Sequence, residues 1–491
     1  MDDVGLGDTT AHLIDRIPYL EAEANNLGLS LNHTKCEVVG LAPEDIEAWR
    51  VAGLDFAITD RREACLLGSP LSPEGVDAAL MAHATQLKEI GPRLGRLSSH
   101  EAFYMLKTCF AIPRLLFLLR SAPAFASSCK RELAEVVKDT FSSIVNIQLE
   151  DKSWTQASLP VRWGGTGIRD VESLAPSAYL ASYHSTDSLV RSILPPFLSS
   201  GVDPLPLEAV SSWLGQGGVT QPKGEDAARQ RAWDEEICCA KFNLLLSHSD
   251  QHSQARLLAV SSPDAGVWIH TLPCRNLGLC LSDRELRVAV GLRLGAPLVR
   301  DHVCVCGAQV DGLALHGLSC RHGKGRQRRH AQANDVLVRA IRASDVQAEL
   351  EPHSLLQGCD KRPDGATLDP WRQGKFLVWD FTCPDTLAPS HVAQSASTVG
   401  SAACKAEQNK RHKYAELVSS IRYLFVPIAI ETLGTWGASA TEICREIGSR
   451  LATLSGDPRS HLFLKHGLSL AVQRGNAAAI AGTLPTRDNS L

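Results

Sequence analysis

Three short stretches in the C-terminal third of the chain decide its fold. They are Arg362-Pro363-Asp364-Gly365, Phe376-Leu377-Val378-Trp379-Asp380-Phe381-Thr382 and Ala406-Glu407-Gln408-Asn409-Lys410-Arg411-His412-Lys413-Tyr414. The first is typical of a turn, and the second of a nearly continuous apolar strand that only Asp380 interrupts. A carboxylate inside such a strand is costly unless it is ionised against a metal ion or a cation. We therefore predict that Asp364 and Asp380 hold Mg²⁺, which prefers oxygen ligands.

The third stretch supplies positive charge next to these acids. A helix is predicted from about Ser390 to Ile421, and on it Glu407, Lys410, Lys413 and Tyr414 share one face. A lysine beside a metal can orient the attacking water or stabilise charge that develops on phosphorus. We predict Lys410 as this cation, Lys413 and Tyr414 as supporting catalytic groups, and Glu351 as an additional metal-binding acid. The alternative is that Asp364 caps a turn and that the lysines are ordinary solvated helix residues.

The neighbouring segments complete an α/β core. A helix is predicted from Ala331 to Arg342, a strand ending at Glu349-Leu350-Glu351-Pro352, another strand at Phe425–Ile428, and helices up to about Ile480. This order resembles the core of restriction-like PD-(D/E)XK nucleases. In their usual form a lysine lies two residues after the second acid, where this chain has Thr382. In the mobile-element class the lysine is on the following helix, in an Ala-Glu-x-x-Lys-x-x-Lys-Tyr context that Ala406–Tyr414 matches.

A cysteine and histidine cluster precedes this core. Cys304-Val305-Cys306-Gly307 is followed by His316-Gly317-Leu318-Ser319-Cys320. Three thiolates and one imidazole complete a tetrahedral shell, so Cys304, Cys306, His316 and Cys320 are the predicted ligands of a structural Zn²⁺. His302 or His322 could replace one of them, and a cluster of unliganded thiols is the alternative. The cluster resembles the Cys-Cys-His-Cys knuckle of non-LTR retrotransposons that carry a restriction-like endonuclease.

Positive charge is densest directly after the cluster. The basic stretch consists of Arg321, Lys324, Arg326, Arg328 and Arg329, with no acid among them. Such a stretch can neutralise several phosphates and give a salt-sensitive, sequence-independent affinity. We therefore predict that these residues bind nucleic acid. A solvated surface run or a localisation signal is the alternative.

The first residues carry a second resemblance. Met1-Asp2-Asp3-Val4 precedes a helix predicted at Thr9–Asn26, and Leu27-Gly28-Leu29-Ser30-Leu31-Asn32 and Lys35-Cys36 follow. These segments resemble the end of a reverse-transcriptase palm of the non-LTR kind. The resemblance implies that Asp2 and Asp3 correspond to the paired aspartates of its metal-binding hairpin, and Lys35 to the lysine of the next palm motif. The earlier palm strand is missing, so polymerisation is not expected. A frayed acidic terminus is the alternative.

The middle of the chain is predicted to be mainly helical, including a helix from His100 to Arg120. The Gly-rich segment Leu159–Arg169 lacks the G-x-x-x-x-G-K-[ST] spacing of a phosphate loop, so we predict a structural loop. Similar segments lie behind retrotransposon palms, in the thumb and connector. Residues 200–260 are predicted as a linker, because prolines and glycines lie close together between 204 and 224. A helix is predicted from about Glu225 to Leu246.

Composition sets the remaining bounds. A chain of 491 residues predicts more than one domain, and a net charge of −4 means that nucleic-acid binding must rest on local basic patches. Fifteen cysteines without a signal peptide indicate a reducing compartment. The most apolar stretch, Phe103–Leu119, carries Lys107 and Arg114 and is not predicted to span a membrane. We expect a soluble nuclear or cytoplasmic protein of undefined oligomeric state.

Together these segments predict a multidomain α+β chain. The predicted parts are a truncated palm edge (1–60), a helical thumb or connector (61–200), a linker and helical region (201–300), the zinc knuckle with the basic stretch (301–330), and a restriction-like endonuclease domain (331–480). The resemblance implies a C-terminal fragment of a non-LTR retrotransposon protein of the site-specific type. Its Mg²⁺-dependent nicking of target DNA would prime reverse transcription of the element RNA. The alternative is a catalytically inactive nucleic-acid-binding remnant or host-adopted module.

Overall fold

The computed structural model describes residues 5–194, 204–353, 355 and 361–485, except for the side chain of Lys324. The fold is mixed α+β, mainly helical with small sheets. The chain forms two compact units. Unit 1 consists of Met1–Gln86, Arg114–Glu135 and Val171–Asp234, and unit 2 of Leu87–Pro113, Val136–Asp170 and Glu235–Leu491. Asp2 and Asp3, predicted as palm residues, lie outside the described residues.

The helices of the described residues are numbered in chain order. They are α1 (Thr10–Asn26), α2 (Asp45–Val51), α3 (Pro73–Leu94), α4 (Ser99–Met105), α5 (Ile112–Ser121), α6 (Lys130–Val145), α7 (Asp151–Ala157), α8 (Val171–Ile193), α9 (Leu205–Gly215), α10 (Gln230–Ser247), α11 (Gln251–Val260), α12 (Asp283–Leu294), α13 (His316–Ser319), α14 (Lys324–Ala343), α15 (Val392–Ser395), α16 (Ser401–Lys413), α17 (Ala415–Val418), α18 (Ala438–Ser455) and α19 (Ser460–Ala481).

The strands are short and are numbered in the same way. They are β1 (Glu37–Val39), β2 (Ala57–Thr59), β3 (Cys65–Leu66), β4 (Ser69–Pro70), β5 (His302–Val303), β6 (Gln309–Val310), β7 (Ala348–Leu350), β8 (Gly365–Thr367), β9 (Phe376–Thr382) and β10 (Tyr423–Ala429). Three pairs are separate two-stranded sheets, and β7 to β10 form the one four-stranded sheet of the described residues.

In unit 1 a small parallel pair, β1 with β2, packs on α1 and α2 through Ile17, Val38 and Trp49. Lys35, predicted as a palm residue, is exposed just before β1. The part of the predicted linker that the structure describes is not an open connection. Trp213 of α9 is fully buried, and its indole Nε1 donates to the carbonyl of Trp233 at 2.9 Å. Within the predicted linker, a buried tryptophan therefore anchors α9.

In unit 2 the four-stranded sheet has the order β10-β9-β8-β7, in which β9 and β10 are parallel and the other neighbours antiparallel. The parallel pair needs a crossover, which the helices α15 to α17 supply. β9 is buried on both faces, which its continuous apolar sequence requires. The predicted strands at 376–381 and 425–428 are thus confirmed as β9 and β10.

Alternation along β9 sends its side chains to two cores. Leu377, Trp379 and Phe381 pack with apolar residues of α14, α18 and α19. Val378 packs on the opposite face with Tyr414 and its neighbours. Asp380 lies on the same face of β9 as Val378, so the fold directs its carboxylate towards α16 rather than into the larger core.

The crossover differs from the single helix predicted from Ser390 to Ile421. It is broken into α15, α16 and α17, with Gly400 in the left-handed region (φ 75°) before α16 and Tyr414 at φ −113° after it. The predicted helical face therefore ends at Lys413. Glu407 is buried beneath it, and its carboxylate accepts hydrogen bonds from the Ser439 and Ala440 amides at the start of α18.

The Gly-rich segment 159–169 is a structural loop, as predicted. The amides of Gly164, Gly165 and Gly167 all donate to carbonyls within the segment, so they are not available to a phosphate. The buried Arg293 guanidinium donates to the carbonyls of Gly165 and Val161 at 2.9 and 2.8 Å. This arginine therefore fixes the loop from beneath.

Among the described residues one segment, Ser99–Ser121, is long and apolar enough to cross a membrane by length and composition. It is not one regular helix, because a π-helical turn at Leu106–Phe110 separates α4 from α5. Phe103, Leu106 and Leu119 are buried within the protein. Core helices of soluble proteins pass the same test, so the segment is weak support for a span.

Candidate functional site

The two predicted metal-binding acids lie at adjacent positions of neighbouring strands. Gly365 of β8 is paired with Trp379 of β9; Asp364 directly precedes β8, and Asp380 follows Trp379 on β9. A Cβ at Gly365 would lie 2.0 Å from the Trp379 ring, so only glycine permits this close pairing. The Asp364 Oδ2 atom accepts the Phe381 amide at 2.6 Å, which fixes its carboxylate beside β9.

Asp380 is the more deeply buried acid, with 1% of its surface exposed. Its Oδ2 atom forms an ion pair with the Lys410 ammonium. Burial raises the pKa of Asp380, and the neighbouring Asp364 charge raises it further, while Lys410 and Tyr414 oppose this through hydrogen bonds. The carboxylate thus lies in a setting that favours added positive charge.

The other predicted catalytic groups divide by burial. Lys413 is exposed, with its Nζ 4.6 Å from the centre of the Tyr414 ring. Tyr414 is buried, and its hydroxyl donates to the Arg362 carbonyl at 2.6 Å. The side chain of Glu351 is exposed, while its amide donates to the Asp364 carbonyl at 2.9 Å. The geometry therefore separates Lys410, which contacts an acid, from Lys413, for which the described residues show a contact with the ring and no acid.

His330 is a site residue that the sequence analysis missed. Its Nε2 atom lies 2.9 Å from Asp364 Oδ2, and this hydrogen bond raises the pKa of His330. The Trp379 indole Nε1 donates to Asn334 Oδ1 at 3.0 Å. This orients the Asn334 amide so that its Nδ2 faces His330 Nδ1 at 3.4 Å. Since Nδ1 then accepts, Nε2 of the neutral ring carries the hydrogen towards Asp364.

A polar cleft of about 530 Å³ lies beside this network. The start of α14, the end of β9 and Lys410 of α16 line it, and we call it the α14 cleft. Its basic and amide side chains are those of Arg321, His322, Arg326, Gln327, Arg329, His330 and Lys410. None of the described residues that line it is acidic. Because α14 begins at Lys324, the arginines of the predicted basic stretch after Arg321 lie on this helix.

The basic stretch is divided by the helical phase of α14. Arg321 and Arg326 are exposed at the cleft, whereas Arg328 lies 3.6 Å from Glu285 in an ion pair. Arg329 is only 2% exposed, and its guanidinium donates to Asn476 Oδ1 at 2.5 Å and to the Leu318 carbonyl at 3.2 Å. We correct the prediction for Arg329, which the helix turns into the protein interior. Of Lys324 only the backbone position, at the start of α14, is described.

The four predicted zinc ligands converge on one point. Their donor atoms all lie within 4.8 Å of one another, with Cys304 Sγ and Cys320 Sγ 3.8 Å apart and Cys306 Sγ 3.2 Å from His316 Nε2. Zn–S bonds of about 2.3 Å in a tetrahedron separate two sulfurs by about 3.8 Å, so the cluster has zinc-like dimensions. The β5–β6 hairpin presents the first two cysteines, with Gly307 at φ 86° in its turn.

The two alternative histidine ligands do not belong to this cluster. His302 uses Nδ1 on the Arg300 carbonyl at 2.9 Å and Nε2 on the Thr483 hydroxyl at 3.1 Å. His322 is exposed and lines the α14 cleft instead. The geometry thus favours the set of three cysteines and His316.

Comparison with known proteins gives a distant relative. No family model matches the chain. The chain is similar to the retrotransposable element SLACS 132 kDa protein of Trypanosoma brucei gambiense, with 24% identity over 336 residues. The match covers 66% of this chain and 24% of that protein, so the chain spans about a quarter of its relative. This similarity supports a retrotransposon-related protein.

Proposed function

We propose that unit 2 is a Mg²⁺-dependent DNA endonuclease, the nicking part of a retrotransposon-derived protein that would act in target-primed reverse transcription. The observation that carries this proposal is the convergence of Asp364, Asp380 and Lys410 beside the basic α14 cleft. Positive charge on the cleft walls would attract a DNA strand to the carboxylates. The distant similarity to a retrotransposon protein agrees with this activity.

The donor set suits a hard divalent cation. Two carboxylates at adjacent strand ends offer oxygen ligands, and the raised pKa of the buried Asp380 reflects burial and the neighbouring negative charge of Asp364. Asp364 and Asp380 would therefore hold Mg²⁺, and the exposed Glu351 at the end of β7 is a further candidate ligand. When bound, Mg²⁺ would polarise the scissile phosphate and lower the pKa of a water molecule.

The side chains of this chain then have distinct tasks. His330 and the Phe381 amide hold the Asp364 carboxylate in one orientation. Lys410, positioned by its ion pair with Asp380, orients the attacking water and stabilises the negative charge that develops on the phosphate. In-line attack of water on phosphorus breaks the P–O3′ bond and leaves a 5′-phosphate and a 3′-hydroxyl.

The proposal is tested by incubating the purified chain with supercoiled plasmid, with Mg²⁺ or with EDTA. We expect open-circle product only with Mg²⁺, and none from Asp380→Asn at equal plasmid binding. Plasmid retention without nicking by the wild type would instead support an inactive nucleic-acid-binding module. Equal nicking by Asp380→Asn would refute the assignment of the metal site to this position.

A further inference from the structure

We propose that the α14 cleft binds a second phosphate of the DNA strand, next to the scissile one, through Arg321, Arg326 and the first turn of α14. This inference rests on the proposed nuclease function, since Lys410 and His330, which contact Asp380 and Asp364, line the same cleft. Arg321 and Arg326 line it beside them.

The two arginines are free to take an anion. Neither forms an ion pair or a side-chain hydrogen bond that the described residues show, whereas Arg328 on the same helix pairs with Glu285. Both are exposed and line the cleft, where no described acid competes for them. A guanidinium without a carboxylate partner in an acid-free cleft matches the planar oxygens of a phosphodiester.

The backbone adds to this positive potential. The cleft includes Gly323, the N-cap of α14, a helix of 20 residues whose first amides lack intrahelical acceptors. The helix dipole and these amides favour an anion at this end. The Gly323 amide donates to the carbonyl of Cys320, the last cysteine of the Cys/His cluster, at 3.2 Å. The cluster therefore fixes the position of the helix start.

A buried group beneath the cleft is independent support for a ligand there. Arg329 contributes to the cleft lining and is only 2% exposed. Its Nε atom is buried and has no hydrogen-bond partner within the described residues. An unpaired buried donor is costly, and an anion bound in the cleft would stabilise the cation that carries it.

The lining also indicates which part of DNA is recognised. Phe381 is the only aromatic residue besides the histidines in the described lining, and it packs in the core against α14. No phenylalanine, tyrosine or tryptophan ring is exposed in the described lining for a base to stack on. The second subsite would therefore bind the sugar–phosphate backbone and not read the sequence of bases.

The test measures binding without cleavage. Fluorescence anisotropy of a labelled single-stranded oligonucleotide, in buffer without Mg²⁺ or chelator, is followed against salt concentration for the full chain. Each phosphate that is neutralised contributes about 0.7 to the slope of log K against log salt, so the double variant Arg321→Ala with Arg326→Ala, which loses one phosphate, should lower the slope by about 0.7. Arg328→Ala, on the same helix but outside the cleft lining, is the matched control and should leave the slope unchanged. Arg326→Glu reverses the charge at the same position. Its zinc content, compared with that of the wild type, shows whether the variant is folded.

An unchanged slope in the double variant, or an equal loss in Arg328→Ala, would overturn the subsite. Because the assay contains no Mg²⁺, it is independent of nicking. A slope loss in a protein that never nicks would keep the subsite and refute the nuclease. Normal nicking with normal affinity in the double variant would keep the nuclease and refute the subsite.

Discussion

Replacing Lys410 by methionine tests the pairing at the centre of the site. Lys410→Met leaves the carboxylate of Asp380, which is 1% exposed, without its cationic partner. Breaking a buried ion pair costs about 3–5 kcal/mol, and we expect the lower value, about 3 kcal/mol, because 24% of the Lys410 side chain is exposed. Lys413→Met, which removes only a contact with the Tyr414 ring, should cost about 0.5–1 kcal/mol.

The stability lost in Lys410→Met should grow as the pH rises. The folded-state pKa of Asp380 is raised by burial and by Asp364, so its ionisation destabilises the fold as the pH rises above the unfolded value. Removing Lys410 raises this pKa further. The penalty should therefore be small near pH 4 and grow by about 1.4 kcal/mol per pH unit until Asp380 ionises in the variant.

Hydrogen exchange followed by mass spectrometry measures the loss of stability in Lys410→Met locally, on peptides that cover β9 and α16. At pH 8, about 3 kcal/mol corresponds to exchange more than about a hundredfold faster than in the wild type at the same pH. At pH 5 the difference should be much smaller. An effect of equal size at both pH values, or in Lys413→Met, would refute the assignment of Lys410 as the partner of Asp380.

Three further changes follow from the same geometry. Arg329→Ala should destabilise unit 2 by about 2 kcal/mol, since two hydrogen bonds of a buried cation are lost; urea unfolding measures this loss, and equal stability of the variant and the wild type would contradict it. The purified chain should hold one zinc ion by elemental analysis, and Cys306→Ser should lower that content, whereas His322→Ala, outside the cluster, should not. His330→Ala should raise the Mg²⁺ concentration needed for nicking by about 10–100-fold, because Asp364 loses its orienting partner, and an unchanged Mg²⁺ titration would contradict this.

Asp380 and Lys410 of the candidate site could be predicted from the local sequence, because each of them carries a local signal. Asp380 is a charge within an apolar strand, and Lys410 lies in a short motif. Their meeting depends only on the parity of β9 and on the crossover helix that follows it. The boundaries of that helix were less accessible, since Gly400 and Tyr414 break it where the periodicity alone continues.

The prediction that all five residues of the basic stretch bind nucleic acid took account of their charge alone. In the structure α14 begins at Lys324 and imposes a period of 3.6 residues on them. Arg329, Ala333, Leu337 and Ile341 recur every four residues and are all buried. Extending the predicted helix back to Lys324 would have revealed that Arg329 faces inward.

His330 could not be assigned in this way. Its partner Asp364 is 34 residues further along the chain, and their contact depends on how α14 packs against the sheet. A helix drawn from Lys324 would have placed His330 and Asn334 on one face, one turn apart. It would not have shown that Trp379 orients the Asn334 amide.

The most direct test of the central claim is whether the nicks can be resealed. Plasmid treated with the wild-type chain and Mg²⁺ is freed of protein and incubated with DNA ligase, which joins only a 3′-hydroxyl to a 5′-phosphate. The account predicts open circles from the wild type and from Lys413→Met that ligase closes, and none from Asp380→Asn. Nicks that ligase cannot close, or that form equally with Asp380→Asn, would contradict it.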